Sequence, residues 1–103
     1  MSHTYQIVYW RDIPAQVRLR SGRERISRPL AHRFQEAIDA AAMIARTTST
    51  DDYLEEWRSS EWLTGEGDSD PERFADDLVA QLESDYPPAR LETLMRNAGR
   101  EKP

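Results

Sequence analysis

Leu30, Phe34, Ala37, Ile38, Ala41, Ile44 and Ala45 recur at helical spacing across Pro29–Arg46. This stripe constrains the fold most, because a helix with one apolar face has to bury it against a second layer. Ala40, Ala41 and Ala42 thin one side of the helix, which lets it lie close to a sheet. Pro29 suits a first turn, where its missing N–H would be unpaired in any case. Thr47-Thr48-Ser49-Thr50 stops the helix with hydroxyls that bond their own backbone.

The second layer precedes the helix. Tyr5, Ile7, Val8, Tyr9 and Trp10 make Thr4–Trp10 a strand, and apolar residues on both parities predict a central strand covered on both faces. Asp12-Ile13-Pro14 is expected to break it. Gln16-Val17-Arg18-Leu19-Arg20 then alternates, with Val17 and Leu19 inward and the arginines outward. Ser21-Gly22 supplies the next turn, and the residues leave open whether Arg23–Ser27 extends the hairpin as a bent strand.

Asp52–Trp62 fits two descriptions. Asp52 with Glu55 resembles a capping box, and Tyr53 with Trp57 has helical spacing. The same residues alternate as a strand would, and a third strand is favoured because a lone hairpin is marginal. Thr64–Asp70 reads as a Gly-rich acidic loop. Asp70-Pro71-Glu72 opens a helix carrying Phe74, Leu78, Leu82 and Tyr86, stopped by Pro87-Pro88. Ala89–Asn97 is a short last helix with Leu91, Leu94 and Met95 inward and Gly99 as its end signal. The tail Arg100–Pro103 is expected to fray. The fold class is therefore α+β: a small, mostly antiparallel sheet of two or three strands with an N-terminal hairpin, packed by two or three helices. The 103 residues fit a single domain, with an ordered core over about residues 4–98.

Three Trp, four Tyr and two Phe provide the bulky apolar area that disordered chains lack. With no cysteine, disulfides, zinc–thiolate sites, iron–sulfur ligation and thiol catalysis are excluded. No stretch approaches the roughly 18 apolar residues of a membrane span, so no membrane is expected. The N-terminus lacks a charged-then-apolar leader, which makes the cytoplasm the expected location. A net charge of −5 argues against nucleic acid as a partner.

That charge is uneven. Residues 1–33 hold Arg11, Arg18, Arg20, Arg23, Arg25, Arg28 and Arg33 against Asp12 and Glu24 only, while the remainder holds seventeen acids against seven bases. Lys102 is the single lysine, so nearly every cation is a guanidinium, a planar fork that suits carboxylates and phosphates; a codon preference for Arg gives the same composition. Arg11, Arg18, Arg20, Arg23 and Arg28 are the candidates for binding an acidic protein patch, a phosphate or a polycarboxylate, or else for pairing with the chain's own acids. Trp57, Arg58 and Trp62 join them, because exposed Trp beside Arg is the composition of an interface hot spot, although plain core burial accounts for Trp equally well.

No catalytic centre is read. His3 lies in a terminus expected to be mobile. His32, Glu36 and Asp39 share one helical side, able to meet a metal or partner or simply to form a solvated face. No nucleophile elbow, P-loop or dinucleotide fingerprint occurs, and the acids of Thr64–Asp68 are too irregular for a calcium loop. No cofactor and no metal are expected.

Tyr9-Trp10-Arg11-Asp12-Ile13-Pro14-Ala15-Gln16-Val17, then Phe34-Gln35-Glu36-Ala37-Ile38-Asp39-Ala40-Ala41-Ala42-Met43, then Asp52-Tyr53-Leu54-Glu55-Glu56-Trp57 form three ordered blocks. Together they resemble the small bacterial "virulence factor" domain family, also present as a module in larger conserved virulence factor proteins with helical repeats. The family label records a phenotype, not an activity, and no catalytic residue carries over. The resemblance implies an accessory role, with an association to one-carbon (folate or corrinoid methyl-transfer) enzymes. The expected function is a non-catalytic module that binds another protein, the alternative being a small anionic ligand of one-carbon metabolism.

Overall fold

The computed structural model describes residues 2–46, 49–67 and 69–101. Thr47 and Thr48 of the expected helix stop, Asp68 of the acidic loop, and Lys102 and Pro103 of the tail lie outside them. Strands β1 (Ser2–Trp10), β2 (Ile13–Ser21) and β3 (Glu24–Pro29) lead into helices α1 (His32–Ile44) and α2 (Thr50–Glu55). Strands β4 (Trp57–Ser59) and β5 (Leu63–Glu66) follow, then helices α3 (Pro71–Asp85) and α4 (Pro88–Arg96). The α+β class with its N-terminal hairpin stands, and among the described residues five strands and four helices replace the two or three of each expected.

The sheet is antiparallel in the order β3-β2-β1-β4, with β5 pairing the other end of β1. Arg23–Ser27 does continue the hairpin. Gly22 has φ +61° at the first position of a two-residue turn, the conformation that lets tightly joined strands keep their twist. β1 ends at Trp10 as expected, but the break falls at Arg11–Asp12, and Ile13 and Pro14 already belong to β2. Ala15 is an extra residue between the pairs Val8–Gln16 and Tyr9–Pro14, a bulge that turns the position lacking an N–H away from β1. The Ala15 carbonyl instead accepts the Leu30 N–H at 3.0 Å.

Asp52–Trp62 is neither one strand nor one helix. Ser49 caps α2 by accepting the Asp52 N–H at 3.1 Å, and Asp51 and Asp52 meet the positive end of the helix. The chain then re-enters the sheet at Trp57. The expected acidic loop is also partly strand, because β1 begins at Ser2, two residues before the predicted start, and its residues 2–5 offer Leu63–Glu66 an edge.

α1 buries Phe34, Ala37, Ile38 and Ala41 of the predicted stripe and Ala42 besides, but it begins at His32, with Pro29 closing β3 instead of opening the helix, and Ile44 is 50% exposed where the helix ends. The main core joins these residues to Ile7, Trp10, Ile13, Val17, Leu91 and Leu94. A smaller cluster of Leu19, Phe74 and Ala75 lies under α3. His3 belongs to this second cluster and is not mobile: it is 3% exposed, with its ring 4.7 Å from Phe74 and Nδ1 3.2 Å from the Ser21 hydroxyl. Both faces of β1 are covered only near Trp10, whose indole N–H donates to the Tyr53 carbonyl at 3.0 Å.

The tail is fastened as far as residue 101. The Asp12 N–H donates to the Gly99 carbonyl at 2.8 Å, and the Glu101 N–H donates to the Asp12 carboxylate at 2.7 Å. Gly99 has φ +88° and lies against Trp10, where a Cβ would come within 2.9 Å of the indole.

Candidate functional site

Alternation along β2 sends Val17 and Leu19 under the helices and Gln16, Arg18 and Arg20 to the opposite face. The register sets Thr4, Gln6 and Val8 of β1 beside Arg20, Arg18 and Gln16, and Arg25 and Ser27 of β3 beside Arg20 and Arg18. α2 covers the Trp10–Trp57 end of this face, and α3 packs on the other face. Toward the β2–β3 turn the surface is open, with Arg18, Arg20 and Arg25 exposed.

The aromatic residues flank these cations. The Arg20 guanidinium lies over the Trp62 ring, 3.7 Å from its centroid. Such a contact is worth about 0.5–1 kcal/mol at an exposed site, enough to hold both groups flat on the sheet. Trp57 is half-buried, edge-on to Tyr53 at 6.0 Å. It separates a depression of about 470 Å³ lined by Val8, Gln16, Arg18, Arg58 and Ser59 from one of about 250 Å³ lined by Ala15, Gln16, Pro29 and Gln35. A further depression of about 320 Å³ lies between α1 and α4, over Ala37, Ala40, Leu91 and Met95.

The predicted basic cluster is not one site. Arg28 points to the helix side and pairs with Glu72 and Asp76 of α3 at 3.5 and 3.4 Å. Arg11, with only 12% of its side chain exposed, meets Glu56 at 3.2 Å and donates to the Ala98 carbonyl at 2.9 Å. Arg58 donates to the Arg11 carbonyl at 2.8 Å, pairs with Asp12 at 3.1 Å and lies over Tyr9. Arg23 sits exposed in the β2–β3 turn, beside the open face. Among the described residues, Arg18, Arg20, Arg23 and Arg25 have no carboxylate within ion-pair distance, while Arg11, Arg28 and Arg58 do.

Residues that sequence reasoning missed complete the face. Thr4, Gln6, Gln16, Ser27 and Ser59 share it with the arginines, and Gln6 donates its amide to the Ser60 carbonyl at 3.0 Å. Their period-two spacing was readable, but the register that aligns three strands was not. Val8, 7% exposed, is the apolar floor of the larger depression.

Two other clusters were weighed. His32 and Glu36 pair at 3.2 Å on an exposed helix side, while Asp39 accepts from Gln35 at 2.9 Å instead of joining them. Among the described residues, no group of three metal-type side chains converges. On the helix side, burial pushes the Tyr9 and Tyr86 phenols above their ordinary value, with Arg58 opposing at Tyr9 and Arg90 at Tyr86. These phenols stay protonated near neutral pH.

No helix among the described residues is long and apolar enough to cross a membrane. No curated protein and no solved structure matches the chain. A protein-family model described as "Virulence factor" matches residues 8–95, a span that runs from the last residues of β1 through β2 and β3 into α4 and leaves out Thr4 and Gln6 of the open face. The chain belongs to the virulence factor family.

Proposed function

We propose that this domain is a non-catalytic accessory module that binds an acidic surface of another protein through the open face of its sheet. The observation that carries this reading is the division among the arginines. Arg11, Arg28 and Arg58, which face the helices or the tail, are matched by carboxylates, and Arg33 is held by the Glu83 and Tyr86 carbonyls. Arg18, Arg20 and Arg25 instead stand together beside Trp62 with no carboxylate in reach among the described residues. In a chain with five excess negative charges, acids are plentiful, and leaving three guanidiniums on one face calls for an external partner. Trp57 and Trp62 add rigid apolar area at its margin, the combination that concentrates binding energy at interfaces. The surrounding Thr, Gln and Ser supply a polar rim.

A small anionic ligand, such as a folate-like dicarboxylate of one-carbon metabolism, is the competing occupant. It is favoured by the depression beside Arg18 and Trp57. Against it, Arg11 and Arg28 are held elsewhere, and of the two arginines that line the depression Arg58 is already paired with Asp12, which leaves Arg18.

Native mass spectrometry on protein purified gently from its own host at low salt separates these occupants. Parallel purification of the Arg18→Ala/Arg20→Ala double variant links the result to the face. A stoichiometric protein carried by the native chain and lost from the variant supports the module reading. A protein retained by the variant removes this face from the reading, and a discrete small-molecule mass replaces the protein partner with a ligand.

A further inference from the structure

β3 is the last strand on its side of the sheet, and one row of its backbone groups has no strand to meet. The hairpin geometry identifies that row. Ser21 and Glu24 close a two-residue turn, and the Leu30 N–H donates back to Ala15, so Glu24, Ile26, Arg28 and Leu30 turn their backbone groups toward β2. Arg25 and Ser27 therefore present N–H and C=O outward, and Pro29 presents C=O alone. Among the described residues, only the Ser27 carbonyl has a partner of its own, the neighbouring Arg28 guanidinium at 3.2 Å.

We infer that this edge is a dimer interface in which β3 pairs antiparallel with β3 of a second copy, about a two-fold axis through Ile26. Three registers with the axis in the middle of β3, on Arg25, Ile26 or Ser27, bring outward-facing backbone groups together across it. One centred on Arg25 stacks Arg25 on its own copy. One centred on Ser27 sets Pro29 opposite Arg25, losing a donor, and puts Ile26 opposite Arg28. The register centred on Ile26 avoids all three faults. It gives four N–H···O=C bonds between Arg25 and Ser27 of the two copies. On the helix side it sets Ile26 against Ile26 and each Glu24 against the other copy's Arg28. On the open side it sets each Arg25 against a small Ser27.

The edge is thus complementary to itself in charge and in shape at one register only, as a closed two-fold contact requires. Arg28 already faces Glu72 and Asp76, so it offers the incoming Glu24 a guanidinium fixed in place. Charged edge residues usually discourage strand addition, because an arbitrary strand meets them unpaired. Here they select the partner. The consequence for the binding face is direct, since pairing would join two open faces into one surface with Arg18, Arg20 and Arg25 of both copies. The inference does not depend on the proposed partner of that face.

The full chain is tested by sedimentation velocity at high micromolar concentration. A species of twice the 12.0 kDa chain mass is expected. Ser27→Pro removes an outward N–H that the monomer does not use and should return the protein to a folded monomer. Because the chain has no cysteine, Ile26→Cys gives a second reading: at a non-hydrogen-bonded pair the two Cα atoms lie about 4.5 Å apart, within disulfide range, so mild oxidation should yield a covalent dimer. A native chain that stays monomeric overturns the inference. So does a dimer that survives Ser27→Pro, or one that cross-links through Arg25→Cys and not through Ile26→Cys.

Discussion

Replacing Phe34 with alanine tests the core that holds the sheet to its helices. Phe34 is 1% exposed, meets Tyr86 edge-on at 6.2 Å and has the Arg33 guanidinium 4.9 Å from its ring centroid. A buried Phe removes roughly 150–250 Å² from water, which at about 25 cal/mol per Å² amounts to roughly 4–6 kcal/mol as an upper bound. Measured truncations of this kind cost about 3–5 kcal/mol, since the cavity relaxes only in part. A domain of this size has only about 5–15 kcal/mol in total, so the variant should be near the edge of folding. Urea titration followed by tryptophan fluorescence reports it well, because Trp10 is completely buried in the same core. The midpoint should fall steeply at an unchanged slope, and Tm by about 15–30 °C. His32→Ala, on the exposed side of the same helix, should stay within about 0.5 kcal/mol of the native protein. A loss below about 1 kcal/mol for Phe34→Ala would refute the packing described for α1.

Gly99→Ala should destabilise by about 1–3 kcal/mol, because alanine resists φ +88° and its Cβ would press on the Trp10 ring. A thermal melt identical to the native one would mean that the tail does not rest on Trp10. Stability should also fall in alkali. The folded chain holds the Tyr9 and Tyr86 protons above the ordinary value of 10.0, where the unfolded chain has already lost them. Their contribution is therefore complete below that value and lost as pH rises through the raised one. Phenolate absorbance measured alongside unfolding should show two tyrosines ionising late, and four ionising together near the ordinary value would contradict it.

What could be read in advance depended on how local each signal was. The α1 stripe, the Asp70-Pro71 helix start and the Val17/Leu19 alternation are encoded within one turn or a few residues of strand, and all three stand. α2 was missed because its cap is Ser49, outside the window that Asp52 and Glu55 appeared to define. β5 was missed because its Gly65 and Glu66 carry little strand propensity, and its pairing depends on residues 2–5 far earlier in the chain. The same limit divided the candidate site. Arg18 and Arg20 could be set on one face by parity alone, but nothing local distinguishes Arg28, one parity step away, from Arg25. Arg11 read as a surface cation, whereas it is drawn inward by a carbonyl 87 residues later.

That last contact has a kinetic meaning. The turn after β1 grips the far end of the chain through Arg11 and Ala98, and through Asp12 and Glu101, pairs separated by 87 and 89 residues. Closing so long a loop yields little until the intervening elements are in place, so this clasp belongs to the last stage of assembly. Bonds made after the rate-limiting barrier leave the folding rate nearly untouched and act on the way out. The clasp therefore governs how long a native molecule survives before it opens, with the turn after β1 and residues 98–101 serving as the latch on the elements between them.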